Sequence, residues 1–445
     1  MSKIKKIAVL GAGFVSKPAV DYFLDKCHYE VIVTSLKKSE AETIIKGRAG
    51  GKAVEWTQDQ PEILDSIVRE VDLVLSMIPP TMHIPVAKAC LKHRKNMVTT
   101  SYVSPAMAAL HEKAKDREIL ILNEIGEDPG LDNMRAKQMI DEVKAQGGKI
   151  KSVTSYGAGL PAFANNDNPF GYKFSWSPKG VILATKSSAA YLVEGKKVEV
   201  PADEIFAYPK VVELEGLDEF ESYPNRDSSS YVQCFDLAND VSLYRGILRY
   251  KGWCEIMSCL AALQLFDIET EREFATQTYA EFTGSLIGHH SSQDILKRTA
   301  EFLKIKTESE LIGKLDWLGL FDEKGITISK GTSGDLLVDL MVQKMSYRPD
   351  EKDMVIVHAE IVAEISNHVE KRRSTLMVEG VVGGDTAMSR AVSLPAAIAS
   401  RLILDKSIMV KGVQRPTFPE IYQPVLQEMA DFGYTFVDRL VKRRS

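Results

Sequence analysis

The chain has 445 residues, 44% of them hydrophobic, and a formal net charge of −5 at pH 7. That length accommodates two or three domains with a large core, and the slightly acidic balance argues against a nucleic-acid or membrane-surface partner recruited by basic charge. The five cysteines (27, 90, 234, 254 and 259) are odd in number and scattered, with no CxxC. This speaks against a disulfide framework or a zinc site and for a reducing, cytoplasmic setting. No metal is expected. No apolar run reads as a membrane span, and the chain enters its first strand without a signal peptide.

Residues 7–10 (Ile-Ala-Val-Leu) predict a buried strand, and Gly11, Ala12, Gly13, Phe14 and Val15 predict a turn that opens a helix at about Val15. Such a turn brings backbone close to a pyrophosphate and aims a helix N-terminus at it. The third small position is Ser16, which still permits close helix–strand packing. A second strand, residues 30–34, leads into Ser35, Leu36, Lys37 and Lys38. An NAD site wants an acid here for the ribose 2′-hydroxyl. None is present, and Glu40 comes too late. A hydroxyl followed by two lysines suits a 2′-phosphate, so NADP is expected, with NAD as the alternative.

A strand over 53–56, a helix over 61–70 and a strand over 73–78 follow, the last stopped by Pro79-Pro80 next to Ile78. Then come a helix over 84–92, a strand over 96–100, a helix over 105–116 and a strand over 119–123. This alternation predicts a doubly wound parallel sheet with ligands beyond the carboxyl ends of its strands. From residue 150 the pattern changes to short alternating runs at 151–156, 181–184, 196–200, 210–214 and 245–250, which predict a mixed or antiparallel sheet. Residues 252–345 read as mainly helical, 353–364 and 371–381 as a hairpin, and 387–404 as a long helix capped near Thr386 that packs back on the first sheet. The expected fold class is α/β: an N-terminal Rossmann-type doubly wound parallel sheet plus a mixed α+β substrate domain with a helical insertion. The dinucleotide-binding domain is placed at 1–130, completed by 386–445. The substrate-binding and dimerisation domain is placed at 131–385, with the insertion at about 252–345.

Three polar stretches go beyond what a scaffold needs. Thr99, Thr100, Ser101 and Tyr102 cap one sheet strand with three hydroxyls and a phenol. Residues 123–133 form a Gly- and Pro-bounded loop with Glu124, Glu127, Asp128 and Asp132. Asp132-Asn133 suits a helix N-cap, whereas Asp128, preceding Pro129, takes an extended backbone that points it toward a cleft. The third group is Arg226 and Arg245, in loops bordering strands. Arginine presents a planar fork to carboxylates, so two of them suggest a small-molecule substrate with more than one carboxylate. The competing reading is that each is an ordinary salt-bridge residue. The pair His289-His290 has no acid or cysteine at ligand spacing and reads as structural.

Several longer stretches carry a resemblance to a known family: GAGFVSKP at 11–18, VTTSYVSPAM at 98–107, NEIGEDPGLDN at 123–133, GLPAFANNDNPFGYKFSWSPKGV at 159–181, YPNRDS at 223–228, YRGILRYKGWCE at 244–255 and TAMSRAVSLPAAIA at 386–399. Over nearly its whole length the chain resembles the saccharopine dehydrogenases of the L-glutamate-forming type. The resemblance implies oxidation of saccharopine, a lysine whose ε-nitrogen carries a glutarate, by hydride transfer to NADP. Water then splits the imine into 2-aminoadipate 6-semialdehyde and glutamate, and the reaction also runs in reverse. It implies NADP contacts at Gly11, Ala12, Gly13, Phe14, Val15, Ser35, Leu36, Lys37, Ile78, Thr100, Ser101, Glu127, Asp128, Pro129 and Trp176. Substrate contacts are implied at Ser101, Tyr102, Asp128, Arg226, Arg245, Gly246 and Ile247. Asp128 and Tyr102 are the candidate proton-transfer groups, with substrate-assisted or water-mediated transfer as the alternative. A homodimer without nucleic-acid or membrane partners is expected.

The chain also departs from the family pattern. Where the family usually has Cys-Gly-Gly-Leu-Pro-Ala-Pro-Glu, this chain has Gly157 at the cysteine and Ala164 at the acid. Leu36 stands for an Arg, Glu127 for a Leu and Ile247 for a Thr. These changes keep two alternatives open: a related enzyme reducing a different amino-acid-derived imine, and a non-catalytic NADP-binding protein.

Overall fold

In the computed structural model, residues 4–217, 219–289, 291–366 and 368–443 are described. The chain divides into two compact units, one of residues 1–159, 230–243 and 354–445, the other of residues 160–229 and 244–353.

The first unit is built on strands β1 (Lys6–Leu10), β2 (Glu30–Ser35), β3 (Gly51–Glu55), β4 (Leu73–Ser76), β5 (Asn96–Thr99) and β6 (Leu120–Leu122), with a further strand at Gly412–Gln414. Their order is Gly412–Gln414, β6, β5, β4, β1, β2, β3, and every pairing is parallel. Parallel strands are covered on both faces, which is why residues 7–10 and 73–75 are apolar without alternation and fully buried. The order of β1 to β6 is the Rossmann order, reversing between β1 and β4, where such sheets bind ligands.

The helix expected over 387–404 is present as Ala387–Leu404, with the Thr386 hydroxyl accepting from the Ser389 N–H at 2.9 Å. It lies against β4, β5 and the helix Lys17–Asp21. The reading of no span-length apolar run needs correction here: this helix has 18 residues and a mean hydropathy of 1.2. Its sequence is apolar because 78% of it is buried in the unit's core. Four other expectations shift. The first helix starts at Lys17 rather than Val15, because the glycine turn continues through Ser16 and Pro18 fits only a first helical turn. A helix at Lys38–Ile45, unread in the sequence, follows β2. β4 ends at Ser76, short of the two prolines. The helix over 105–116 is broken into Pro105–Ala108 and His111–Asp116. The unit's other sheet includes the long hairpin Asp353–Ile365 with His368–Glu379, whose outer strand also pairs with Val437–Arg443.

In the second unit, Ser242–Tyr250 pairs antiparallel with Glu219–Pro224, which pairs with Lys210–Glu213. Ala189–Val193 and Lys196–Val200 form a hairpin. The core is helical, from Trp253–Ala262 through Glu310–Leu318 to Ser333–Met345. Residues 181–184, expected as a strand, lie in the helix Pro178–Thr185. Pro178 at its first turn and the Ser177 hydroxyl accepting the Gly180 N–H at 3.1 Å set its start. His289 is half-buried and bonds the Gln293 carbonyl, whereas His290 lies outside the described residues. Among the described residues no cluster of His, Cys, Asp or Glu is placed to hold a metal.

Candidate functional site

The glycine turn sits at the β1/β4 reversal. Gly11 has φ +105°, and a Cβ there would stand 3.0 Å from the Met77 carbonyl oxygen, so only glycine lets β1 turn this close to the end of β4. Gly13 is the opposite case: a Cβ would meet nothing within 4 Å. The bare backbone therefore faces open space, which fits close approach of a pyrophosphate. Ile78 stands beside the turn, its Cγ2 3.4 Å from the same Gly11 Cβ position. Ala12 and Val15 are half-buried and Phe14 is exposed. At the end of β2, Leu36 and Lys37 are exposed, and Lys37 makes no ion pair among the described residues, while Lys38 pairs with Glu42 at 3.3 Å. Glu40, set aside in the sequence as too distant, is brought back by the helix Lys38–Ile45 and accepts a hydrogen bond from the Ser35 hydroxyl. An acid does stand at this strand end, next to an unpaired lysine.

The ends of β5 and β6 bring Thr100, Ser101, Tyr102 and Asp128 into one cluster. The Tyr102 hydroxyl donates to Asp128 Oδ1 at 3.0 Å. The loop carrying Asp128 is closed by Gly126 N–H to the Pro129 carbonyl and Leu131 N–H to the Gly126 carbonyl, both 2.9 Å. Gly130, at φ +155°, must be glycine because a Cβ would land on the Gly126 carbonyl. Gly126 in turn sits against Thr100, with a Cβ position 3.1 Å from Thr100 Cβ. The Asp132 carboxylate accepts the Gly130 N–H at 2.7 Å, but the N-cap of helix Leu131–Ala145 is Gly130, so Asp132 stands in the first turn and not at the cap position expected for it. Behind Asp128 lies Gly157, whose Cβ would be 2.6 Å from Asp128 Cβ and 3.0 Å from Glu127 Oε1. The missing cysteine side chain is thus the space these two acids fill.

Two residues that sequence reasoning did not single out hold this edge. Glu124, read only as one of four loop acids, is fully buried. It accepts from the Val103 N–H at 3.0 Å, from the Tyr231 hydroxyl and from Arg415 Nε at 2.7 Å. Its carboxylate therefore fixes the Tyr102 segment instead of facing a ligand. His83 bonds Ser76 and Ser101 at 2.9 Å each.

In the second unit, the Asn225 N–H donates to the Arg245 carbonyl at 2.9 Å, and the Ser228 hydroxyl accepts the Arg245 N–H at 3.2 Å. Arg245 thus lies within the strand Ser242–Tyr250 and not in a loop bordering it as expected, while the Arg226 carbonyl accepts from the Ala190 N–H at 2.9 Å. Arg226 is exposed, at φ +50°, with Nη1 3.1 Å from the Ser187 hydroxyl, whereas Arg245 is buried. Gly246 and Ile247 continue the strand opposite Pro224 and Tyr223. Arg249, unread in the sequence, follows on the Arg245 face by strand alternation. It is buried, with its guanidinium carbon 5.1 Å from the Tyr172 ring and 5.4 Å from the Trp253 ring. Trp176 donates from Nε1 to the Tyr172 hydroxyl at 3.1 Å.

Comparison with known proteins matches residues 7–122 to the family described as "Saccharopine dehydrogenase NADP binding domain" and residues 126–434 to "Saccharopine dehydrogenase C-terminal domain". The "Saccharopine dehydrogenase [NADP(+), L-glutamate-forming]" of Schizosaccharomyces pombe is 35% identical, with 98% of this chain and 99% of that protein aligned. The mitochondrial alpha-aminoadipic semialdehyde synthase of Bos taurus is 36% identical over 98% of this chain, which spans only 48% of that longer protein. The apo saccharopine dehydrogenase (L-Glu forming) of Saccharomyces cerevisiae superposes with a TM-score of 0.87 at 33% identity, covering 98% of this chain and 100% of that one. The chain therefore belongs to the saccharopine dehydrogenase family and carries that family's NADP-binding domain.

Proposed function

We propose that the chain is an NADP-dependent oxidoreductase interconverting saccharopine and water with glutamate and 2-aminoadipate 6-semialdehyde. The observation that supports it is the Tyr102–Asp128 hydrogen bond at the carboxyl ends of a Rossmann-ordered sheet, in a chain aligned end to end with NADP-dependent, L-glutamate-forming relatives. Gly11, Ala12, Gly13, Phe14, Val15, Ser35, Leu36, Lys37, Ile78, Thr100, Ser101, Glu127, Asp128, Pro129 and Trp176 are the residues assigned to NADP, which when bound supplies the hydride exchange. The functional division follows: residues 1–130 with 386–445 serve the dinucleotide and 131–385 the substrate.

The chain's own groups bind and orient. Arg226 and Arg245, with Gly246 and Ile247, take substrate carboxylates, and the fork geometry of guanidinium fixes their direction. Asp128 holds the substrate amine as counter-ion or accepts its proton at Oδ2, while Tyr102 keeps Oδ1 engaged. Holding amine and cofactor together converts an encounter into an intramolecular step. The relatives' names include a mitochondrial form. Cytoplasmic location and a homodimer are part of this proposal; the five cysteines are all free thiols, which fits a reducing compartment. Light scattering checks the dimer.

The experiment is an absorbance assay at the nicotinamide band with saccharopine and either NADP or NAD. Reduction of NADP is expected. Silence with both would overturn the proposal. It would favour the second reading, a different amino-acid imine, for which the specific observation is that the Gly157 substitution lies directly against Asp128.

A further inference from the structure

His83 is 3% exposed at the start of helix His83–His93, immediately after the β4 turn. Its Nδ1 is 2.9 Å from the Ser76 hydroxyl, and its Nε2 is 2.9 Å from the Ser101 hydroxyl and 3.2 Å from that of Thr99. Ser76 is fully buried and in register with both Leu10 and Thr99. One end of this chain of bonds is therefore anchored in the centre of the sheet, and the other ends on the half-buried Ser101 at its rim. The backbone of Ser101 is held from elsewhere, by Glu124 N–H to its carbonyl at 3.1 Å and by its own N–H to Thr99 Oγ1 at 3.3 Å. Only the rotation of its hydroxyl is left open, and His83 closes it.

We propose that His83 is a positioning residue that fixes the Ser101 hydroxyl toward the bound dinucleotide and substrate; this rests on the assignment of Ser101 made above. Burial pushes the imidazole down to about 4, so it stays neutral near pH 7. A neutral ring has one N–H and one lone pair, so Ser76 and Ser101 are bound in opposite hydrogen-bond senses. The Ser101 oxygen then presents a single defined donor or acceptor face to a ligand, where a free hydroxyl would sample three rotamers.

The test compares H83Q, H83N, H83F, S101A and the double variant H83F/S101A, reading NADPH Kd by fluorescence, kcat and KM for saccharopine, and Tm. The Gln amide reaches the place of Nε2 and the Asn amide only that of Nδ1. H83N and H83F are expected to weaken NADPH binding about five-fold, the worth of one net hydrogen bond, and H83Q by less than about two-fold. Adding H83F to S101A is expected to leave the NADPH Kd where S101A puts it, because the hydroxyl that His83 positions is already gone, although H83F also removes the bonds to Ser76 and Thr99 and lowers Tm further. Equal effects of Gln and Asn, multiplying losses in the double variant, or no loss in any single variant would overturn the proposal. If H83F does not fold, the Gln–Asn comparison decides. A wild-type protein that binds NADPH but leaves saccharopine untouched would overturn the proposed function, and the NADPH measurements would still decide on His83.

Discussion

Replacing Gly157 with alanine should disarm the site with little change to the fold. The added Cβ would sit 2.6 Å from Asp128 Cβ and 2.9 Å from its Oδ2. Carbon pairs settle near 3.5–4.0 Å, so Asp128 must retreat by roughly 1 Å. A rotamer change does not relieve this, because the clashing atom is Cβ itself, on a backbone tied by Gly126 N–H to Pro129 and Leu131 N–H to Gly126. Overpacking of this kind costs about 1–3 kcal/mol of stability. A misplacement of about 1 Å at a reacting group costs on the order of a hundred-fold in rate. We therefore expect kcat/KM for saccharopine to fall by roughly two orders of magnitude, with Tm changing far less and NADPH binding weakened as well, since Asp128 and Glu127 are also assigned to the cofactor. Steady-state kinetics beside a melting curve measures both. A G157A variant that turns saccharopine over at the parental rate would refute the reasoning. In G157C the Glu127 oxygen, 3.0 Å from the same Cβ position, is also displaced. Adding E127L to G157C should then recover part of the loss.

R226A should raise the saccharopine KM roughly ten-fold by removing a charged hydrogen bond. An unchanged KM would give Arg226 a structural role, to which its contact with Ser187 belongs. K37A should weaken NADPH more than NADH, and E40Q, which removes the acid bonded to Ser35, should tighten NADPH; titrations with both cofactors separate these from general damage. Acid should destabilise the protein between about pH 6.5 and pH 4, because burial holds His83 and His358 down at about 4 while the unfolded imidazoles protonate near 6.5. The unfolded chain binds protons first there, costing up to about 3 kcal/mol per histidine by pH 4. Urea midpoints measured across that range should fall, and H358Q, which removes one such group, should fall less steeply. R415M should cost about 3–5 kcal/mol by leaving the buried Glu124 carboxylate without its cation, and E124Q/R415M should regain most of it, as read by denaturant unfolding.

What the sequence made legible was what short-range pattern controls. The buried parallel strands, the glycine turn and the helix Ala387–Leu404 follow from runs of apolar residues and their flanking caps. Residues 181–184 were misread because a short apolar run has no period to distinguish strand from helix. The Ser177-Pro178 start signal was the better guide. Glu40 was misjudged because distance along the chain stood in for distance in space, and one turn of helix after β2 returns it to Ser35. His83 and Ser101 are 18 residues apart, and Glu124 and Arg415 are 291 apart. No local pattern announces such pairs.

Those hidden pairs share a logic. The residues expected to touch ligand, Ser101, Tyr102 and Asp128, lie on loops beyond strand ends, where backbone is least constrained. Each is braced from behind by a group that the ligand never needs to meet. His83 ties Ser101 to the buried Ser76, Glu124 ties Val103 to Arg415 on the far side of β6, and bare Gly157 sets the position of Asp128. Hydride transfer tolerates little error in placement, so the precision has to come from these supports. The departures at 127 and 157 fit the same scheme. Bare Gly157 leaves the volume that Asp128 and Glu127 both approach, to 2.6 Å and 3.0 Å of its Cβ position, so the departures at 127 and 157 meet at one packing site and their variants should couple.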